Sequence, residues 1–118
     1  MPVEVKNIHF TTQEVKKALS IFSKRRKKYF DHNDIVRFEI NEKSKKPITC
    51  EIDKNLGIED NIISYNQAEI GAALIAFCLD YRIPIPKIAS KELQIVNKQL
   101  ILIIRLNHGI EEDVFEIG

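Results

Sequence analysis

The chain has 118 residues, the length of one ordinary domain, and leaves no room for a second catalytic or regulatory domain. With 44% hydrophobic and 30% charged residues it can form a core inside a charged surface, which excludes global disorder, collagen-like chains and disulfide scaffolds. The formal net charge of +1 argues against a dedicated nucleic-acid binder. We therefore expect a single domain over residues 1–118.

Charge is distributed unevenly along the sequence. Residues 1–50 contain 12 Lys or Arg and 6 Asp or Glu, a net charge of +6. Residues 51–118 contain 6 Lys or Arg and 11 Asp or Glu, a net charge of −5. A positive first half is suited to an acidic partner, and that partner can be the negative half of another copy.

The sequence has no targeting or membrane signal that we can identify. Residues 1–6 lack an apolar signal-peptide core, and the longest apolar run, Ala72–Leu79, is far shorter than a membrane span. We expect a cytoplasmic protein with no membrane partner. The two cysteines, Cys50 and Cys78, are therefore predicted to be buried, reduced thiols.

The first periodic segment predicts a helix over residues 12–29. Thr11 and Glu14 have the spacing of a capping box at its start. The apolar residues that follow repeat at helical spacing: Val15, Ala18, Leu19 and Phe22. Residues 31–34 are short polar side chains that compete for backbone hydrogen bonds, so we expect the helix to stop there.

A second helix is predicted over residues 66–81, with a capping box formed either by Ser64 and Gln67 or by Asn66 and Glu69. The segment Ile83-Pro84-Ile85-Pro86 cannot continue a helix and is interpreted as a rigid spacer with buried isoleucines. Alternating or continuous apolar patterns predict four strands, at residues 35–40, 47–52, 92–96 and 99–106.

These elements predict an α+β domain in the order α-β-β-α-β-β, with two antiparallel hairpins and a loop over residues 53–63. Residues 1–10 are an N-terminal segment with no assigned element, and residues 107–118 form an acidic, loosely held tail. The strand at 99–106 is apolar on both faces, as expected for the centre of a sheet. No internal repeat is apparent.

The second helix is predicted to be buried, because it is apolar nearly all round. Its bulky side can pack on a sheet. The opposite side consists of small or apolar residues that permit close approach of another helix: Ala68, Ala72, Ile75, Ala76 and Leu79. Either the first helix or the same helix of a second copy can cover it. The second alternative predicts a two-fold symmetric homodimer.

The most conspicuous local feature is a run of five cations, Lys24, Arg25, Arg26, Lys27 and Lys28. One interpretation is a solvated helix face in which the arginine stems lie along the edge of the core. The other is a binding surface for an acidic protein or for phosphates, widened by cations of the first hairpin: Arg37, Lys43, Lys45 and Lys46.

The sequence contains no catalytic, metal-binding or cofactor motif that we recognise, so we predict no cofactor and no metal, and an enzyme is the less favoured class. His32, between Asp31 and Asp34, is the best candidate for a general base, but a capping role in a turn is the favoured interpretation. His9 and His108 lie elsewhere in the sequence. The leading hypothesis is a non-catalytic interaction or adaptor module that contacts an acidic partner through its basic segment and associates with itself. The alternative is a nucleic-acid-binding accessory protein that uses the same cations.

Overall fold

The computed structural model describes residues 3–107, which contain two helices and six strands. The α+β class is confirmed. The elements in chain order are β1 (Val3–Phe10), α1 (Thr12–Arg25), β2 (Ile35–Ile40), β3 (Ile48–Ile52), β4 (Ile62–Tyr65), α2 (Gln67–Asp80), β5 (Ser90–Val96) and β6 (Gln99–Asn107).

The predicted order and strand count are wrong, because β1 and β4 were not expected. β1 occupies most of the segment left without an element, and six of its eight residues are exposed, so its hydrophobic alternation is weak. β4 has only four residues and lies at the end of the predicted 53–63 loop. The predicted acidic tail begins inside β6 at Asn107, and residues 108–118 lie outside the described part of the chain.

Both helices begin at capping boxes. The Thr11 side chain accepts a hydrogen bond from the Glu14 backbone N–H, and the Glu14 carboxylate accepts one from the Thr11 N–H. Asn66 and Glu69 form the same reciprocal pair, so the Ser64–Gln67 alternative is wrong. α1 ends at Arg25, four residues earlier than predicted.

The strands form two antiparallel sheets of three strands each. The terminal sheet has the order β1-β6-β5, and the central sheet has the order β2-β3-β4. β6 lies in the middle of its sheet, as its sequence predicts, with Leu100 opposite both Phe10 and Ile95. In the central sheet Ile48 occupies the same place, opposite Tyr65 and Ile40.

The two halves of the chain share one β-α-β-β order, although the sequence alone predicts no repeat. α1 covers residues 12–25 and α2 covers residues 67–80, so the second helix follows the first by 55 residues. The same offset relates the left-handed residues Lys27 and Arg82, which have φ values of 66° and 58° and follow the two helix C-caps. The fold is therefore an internal duplication, in which each sheet takes a hairpin from one half and its third strand from the other.

The duplicated halves end their helices with the same hydrogen bonds. The Lys28 N–H donates to the Ser23 carbonyl at 2.8 Å, and the Ile83 N–H donates to the Cys78 carbonyl at 2.7 Å. These bonds close the last turn around a left-handed residue. A residue in the left-handed region cannot continue an α-helix, which explains why α1 stops before the predicted boundary.

One core joins both helices and both sheets. Each helix buries the same four positions, because Val15, Ala18, Leu19 and Ser23 in α1 correspond to residues 70, 73, 74 and 78 in α2. Each sheet turns one alternating row of its middle strand into this core. The buried rows are Ile48, Cys50 and Ile52 in β3, and Leu100, Leu102 and Ile104 in β6.

Both cysteines are buried and free, as predicted. Burial raises the pKa of Cys50 to about 12 and also raises the pKa of Cys78. Both thiols therefore stay protonated at neutral pH, and neither has the accessibility and thiolate character of a reactive cysteine.

A buried polar pair crosses between the halves. The side-chain oxygens of Ser23 and Tyr65 lie 2.7 Å apart and share a hydrogen bond. The 55-residue offset places the buried residues Cys78 and Phe10 at the corresponding positions, and neither carries a hydroxyl. Burial raises the pKa of Tyr65 to about 12, which keeps its hydroxyl neutral.

This comparison generates a prediction. Tyr65→Phe should lower the free energy of unfolding by about 1–3 kcal/mol, because the buried Ser23 hydroxyl loses its partner. The double variant Ser23→Cys with Tyr65→Phe introduces the residue types found at the equivalent positions, Cys78 and Phe10. It should recover most of the lost free energy of unfolding. Urea denaturation followed by circular dichroism measures both values. Equal losses of unfolding free energy in the single and the double variant would contradict a stabilising hydrogen bond between Ser23 and Tyr65.

Candidate interaction surfaces

The five consecutive cations do not lie on one face of a helix. Lys24 and Arg25 are the last two residues of α1, Arg26 is its C-cap, and Lys27 adopts the left-handed conformation that ends it. Lys28 follows in non-helical structure. The change of backbone direction at Lys27 separates the side chains before and after it, so the run supplies cations to more than one surface.

The two arginines of the run bind α2. The Arg26 guanidinium donates a hydrogen bond of 2.6 Å to the Glu69 carboxylate and lies 4.4 Å from the centre of the Phe22 ring. Arg25 and Asp80 form a looser ion pair, with 3.7 Å between nitrogen and oxygen. Phe22 packs against the core, so the Arg26 guanidinium lies over a ring at its edge, and the heads of both arginines connect the two helices.

The lysines of the run form what we call the lysine cluster, consisting of Lys24, Lys27 and Lys28. All three are exposed, and none forms an ion pair with another described residue. Lys24 lies near Asp31, whose pKa is lowered mainly by the hydrogen bond from the His32 backbone and to a smaller extent by Lys24. The cluster is the part of the basic run that remains accessible to a partner.

The first hairpin adds one lysine to this region. Lys46 and Lys28 border the same open cleft of about 410 Å³, together with Glu59 and Asp60. The cleft therefore carries both signs of charge. Arg37 is paired in register with Glu51 on the central sheet, while Lys43 and Lys45 lie in the loop between β2 and β3. The structure thus brings together only part of the predicted positive surface.

His32 has a local structural role. Asp31 and Asp34 form a capping box around a short 3₁₀ helix, and the His32 ring nitrogen Nδ1 lies 3.0 Å from the Asp31 carboxylate. This arrangement supports the capping interpretation over that of a general base. His9 lies in β1, within the N-terminal segment for which the sequence predicted no element. Within residues 3–107 no group of three potential metal ligands converges, and His108 lies outside them.

The small-residue side of α2 is open. We call it the α2 face, and its members are the residues predicted for self-association: Ala68, Ala72, Ile75, Ala76 and Leu79. α1 packs against α2, but this face remains exposed or half-buried, with Leu79 60% exposed. Of the two predicted coverings, the first helix is therefore excluded. The bulky side packs inward at Ile70, Leu74 and Phe77, while Tyr81 is exposed.

A cleft of about 430 Å³ separates the α2 face from the terminal sheet. Gly71, Leu93 and Leu102 line it beside members of the α2 face. Sequence reasoning did not find these three residues, because their proximity depends on how α2 lies over β5 and β6. The signal that the sequence does offer is the contrast with α1, which has Lys16 where α2 has Gly71.

The spacer after α2 directs its isoleucines toward the core, although less deeply than predicted, and leaves its prolines exposed. Ile83 and Ile85 are half-buried against the core. Pro84 and Pro86 are exposed and border a cleft of about 500 Å³ beside β1. This third open region was also not predicted, because it is formed by β1, which had no assigned element.

Neither helix of the described part of the chain is long and apolar enough to cross a membrane. Comparisons with protein-family models, with curated proteins and with solved structures found no match to this chain. Function is therefore argued from the surfaces described above.

The arginine contacts generate a prediction about stability. Arg26→Ala should lower the free energy of unfolding by about 1 kcal/mol, because it removes a short charged hydrogen bond and a ring contact that are only partly exposed. Arg25→Ala should change it by less than about 0.5 kcal/mol, since that ion pair is long and solvent-exposed on both sides. Urea denaturation of both variants tests this order, and a larger loss for Arg25→Ala would contradict it.

Proposed function

We propose that this protein is a non-catalytic interaction module that binds an acidic protein through its lysine cluster and associates with itself through its α2 face. The observation that carries the proposal is the division of the basic run. Arg25 and Arg26 form intramolecular ion pairs with α2, whereas Lys24, Lys27 and Lys28 form none with another described residue and are exposed. Exposed like charges at the end of a helix attract a partner of opposite charge.

The same division favours an acidic protein over a nucleic acid. Arginine is the side chain best suited to grip a phosphate with two hydrogen bonds, and both arginines of the run are engaged with α2. Nucleic-acid binding stays the alternative, because lysines alone can contact phosphates.

The internal duplication supports self-association through the α2 face. The positions in α1 that correspond to Ala68, Ala72, Ile75, Ala76 and Leu79 are occupied by Gln13, Lys17, Ser20, Ile21 and Lys24. Three of these five are charged or amide side chains, while Ser20 is buried and Lys17 and Ile21 are half-buried. An apolar face at the same place in α2 is suited to a surface that another copy covers.

Charge reversal tests the binding surface. Lys24→Glu, Lys27→Glu and Lys28→Glu combined should weaken binding to poly-L-glutamate at least tenfold without unfolding the protein, because attraction becomes repulsion. The matched control reverses three exposed cations outside the predicted surface, at Lys54, Arg82 and Lys87, with the same change in net charge. Fluorescence anisotropy measures binding, and circular dichroism checks the fold.

Three results of that titration lead to different conclusions. Loss of binding in the cluster variant but not in the control supports the proposal. Equal loss in both variants, or no binding by the wild type at low salt, contradicts it. Binding to duplex DNA with a logarithmic salt slope near −4.5, the value for about five phosphate contacts, would favour the nucleic-acid alternative.

Self-association has its own test. Ala72→Glu places a charge in the centre of the α2 face and should lower the average mass measured by light scattering after gel filtration. Lys17→Glu alters the corresponding position of α1 and should leave the mass unchanged. A wild-type mass equal to that of Ala72→Glu, with both proteins folded, would show that the α2 face does not join copies.

A further inference from the structure

The sequence after β6 repeats the sequence after β3. These are the middle strands of the two sheets, and their pairings match Ile48 with Leu100, an offset of 52 residues. At this offset the segment Asn55-Leu56-Gly57-Ile58-Glu59-Asp60 corresponds to Asn107-His108-Gly109-Ile110-Glu111-Glu112. Four of the six positions are identical. Because the offset comes from strand pairing and not from this match, the match indicates that the duplicated sequence extends past β6.

Two of the repeated residues shape the connection between β3 and β4. Gly57 ends a 3₁₀ turn in the left-handed region, at a φ of 71°, where a side chain is disfavoured. Ile58 is half-buried and packs against the core. Gly109 and Ile110 are the same residue types at the equivalent positions. Residues 105–113 therefore carry the sequence features of the nine-residue connection that leads from β3 into β4.

The next four residues have the apolar pattern of β4. In β4 Ile63 and Tyr65 are buried, and the residues at 62 and 64 lie on the other face. The offset places Phe115 and Ile117 at the two buried positions, with a valine and a glutamate at 114 and 116. Residues 114–117 thus have the sequence of a strand that pairs with β6 as β4 pairs with β3.

The place on β6 that matches residues 114–117 is held by β1. β1 lies against β6 as β4 lies against β3, since Phe10 is opposite Leu100 and Tyr65 is opposite Ile48. The other side of β6 is occupied by β5. Residues 114–117 can therefore pair with β6 in this register only where β1 leaves it.

Each of the two candidates has an advantage at this place. β1 pairs with β6 over eight residues, whereas β4, the counterpart of residues 114–117, pairs with β3 over four. Residues 114–117 have the shorter closing loop, because nine residues separate them from position 104 of β6, whereas most of the chain separates β1 from β6. The longer pairing favours β1, and the shorter loop makes the second arrangement accessible.

We propose that this side of β6 accepts two strands of the same chain, β1 in the described structure and residues 114–117 in exchange for it. In the second arrangement Ile117 takes the position of Phe10 opposite Leu100, and Phe115 takes that of Ile8. The backbone groups of β6 keep a partner in both arrangements. The exchange therefore releases β1 from the terminal sheet without opening the edge of β6. It involves neither the lysine cluster nor the α2 face.

Disulfide trapping tests the second arrangement. The side-chain oxygens of Thr49 and Ser64 lie 3.0 Å apart across β3 and β4, and the equivalent positions are 101 and 116. Ile101→Cys with Glu116→Cys should therefore form a disulfide within one chain under mild oxidation. Ile101→Cys with Glu112→Cys is the matched control. It should react about tenfold more slowly, because position 112 is four residues away, about 13 Å along an extended chain.

Competition with β1 supplies the second arm, in the protein with cysteines at 101 and 116. Ile8→Asp places a charge on the inward side of β1 and should raise the rate of disulfide formation about tenfold, because it weakens the competing strand. Phe115→Asp should lower the rate about tenfold, because it places the same charge in the segment that replaces β1. The control with cysteines at 101 and 112 also receives Ile8→Asp, so that general loosening of the fold is detected.

The outcomes separate the exchange from random contact. Faster disulfide formation at 116 than at 112, raised by Ile8→Asp and lowered by Phe115→Asp, supports the proposal. Equal rates at 112 and 116, no disulfide at 116, a disulfide that joins two chains, or an equal effect of Ile8→Asp at both positions overturns it. Peptide mapping by mass spectrometry identifies the linked residues. The native cysteines are buried and do not interfere in the folded protein.

Discussion

The structure depends on an exchange of strands between two similar halves. β1 of the first half completes the sheet made by β5 and β6, and β4 of the second half completes the sheet made by β2 and β3. Val3 is paired with Asn107, so the first and last described residues meet in one sheet. Neither half contains all three strands of a sheet, so the core forms only when both halves are present. Pairings this distant in sequence carry a high cost of loop closure and favour slow, cooperative folding.

Exchange of strands leaves the two helices in equivalent positions, and their sequences have diverged where they face solvent. Lys17 and Lys24 of α1 correspond to Ala72 and Leu79 on the α2 face. Arg25 and Asp80 occupy equivalent positions and bind each other, which places their ion pair near the pseudo-two-fold axis that relates the halves. The same backbone arrangement therefore carries a charged surface on one helix and an apolar surface on the other. A comparison of equivalent positions identifies the substitutions that distinguish the two surfaces.

The helices, their N-caps and the two hairpins could be predicted because each depends on residues close in sequence. β1 could not, since an exposed edge strand lacks the apolar alternation of a half-buried one. β4 could not, because its four residues are too few to show a period. The ion pairs of Arg25 and Arg26 depend on how the helices pack, which no local pattern records. The duplication did leave a trace, because Glu14, Ala18 and Leu19 recur as Glu69, Ala73 and Leu74. The trace is short. The loop of residues 41–47 between β2 and β3 is longer than the turn of residues 97–98 between β5 and β6, so the constant offset of 55 residues ends at this loop.

Two similar halves that exchange strands face a problem of partner choice, because a first half can in principle pair with the first half of another molecule. In that assembly the duplication would bring Ser23 against Phe10, and the buried hydroxyl would have no acceptor, at a cost of about 1–3 kcal/mol. Within one chain Ser23 meets Tyr65 and the hydroxyl is satisfied. The asymmetry of this single pair thus favours assembly of the two different halves over misassembly of identical ones, and it does so from inside the core, where no surface charge contributes.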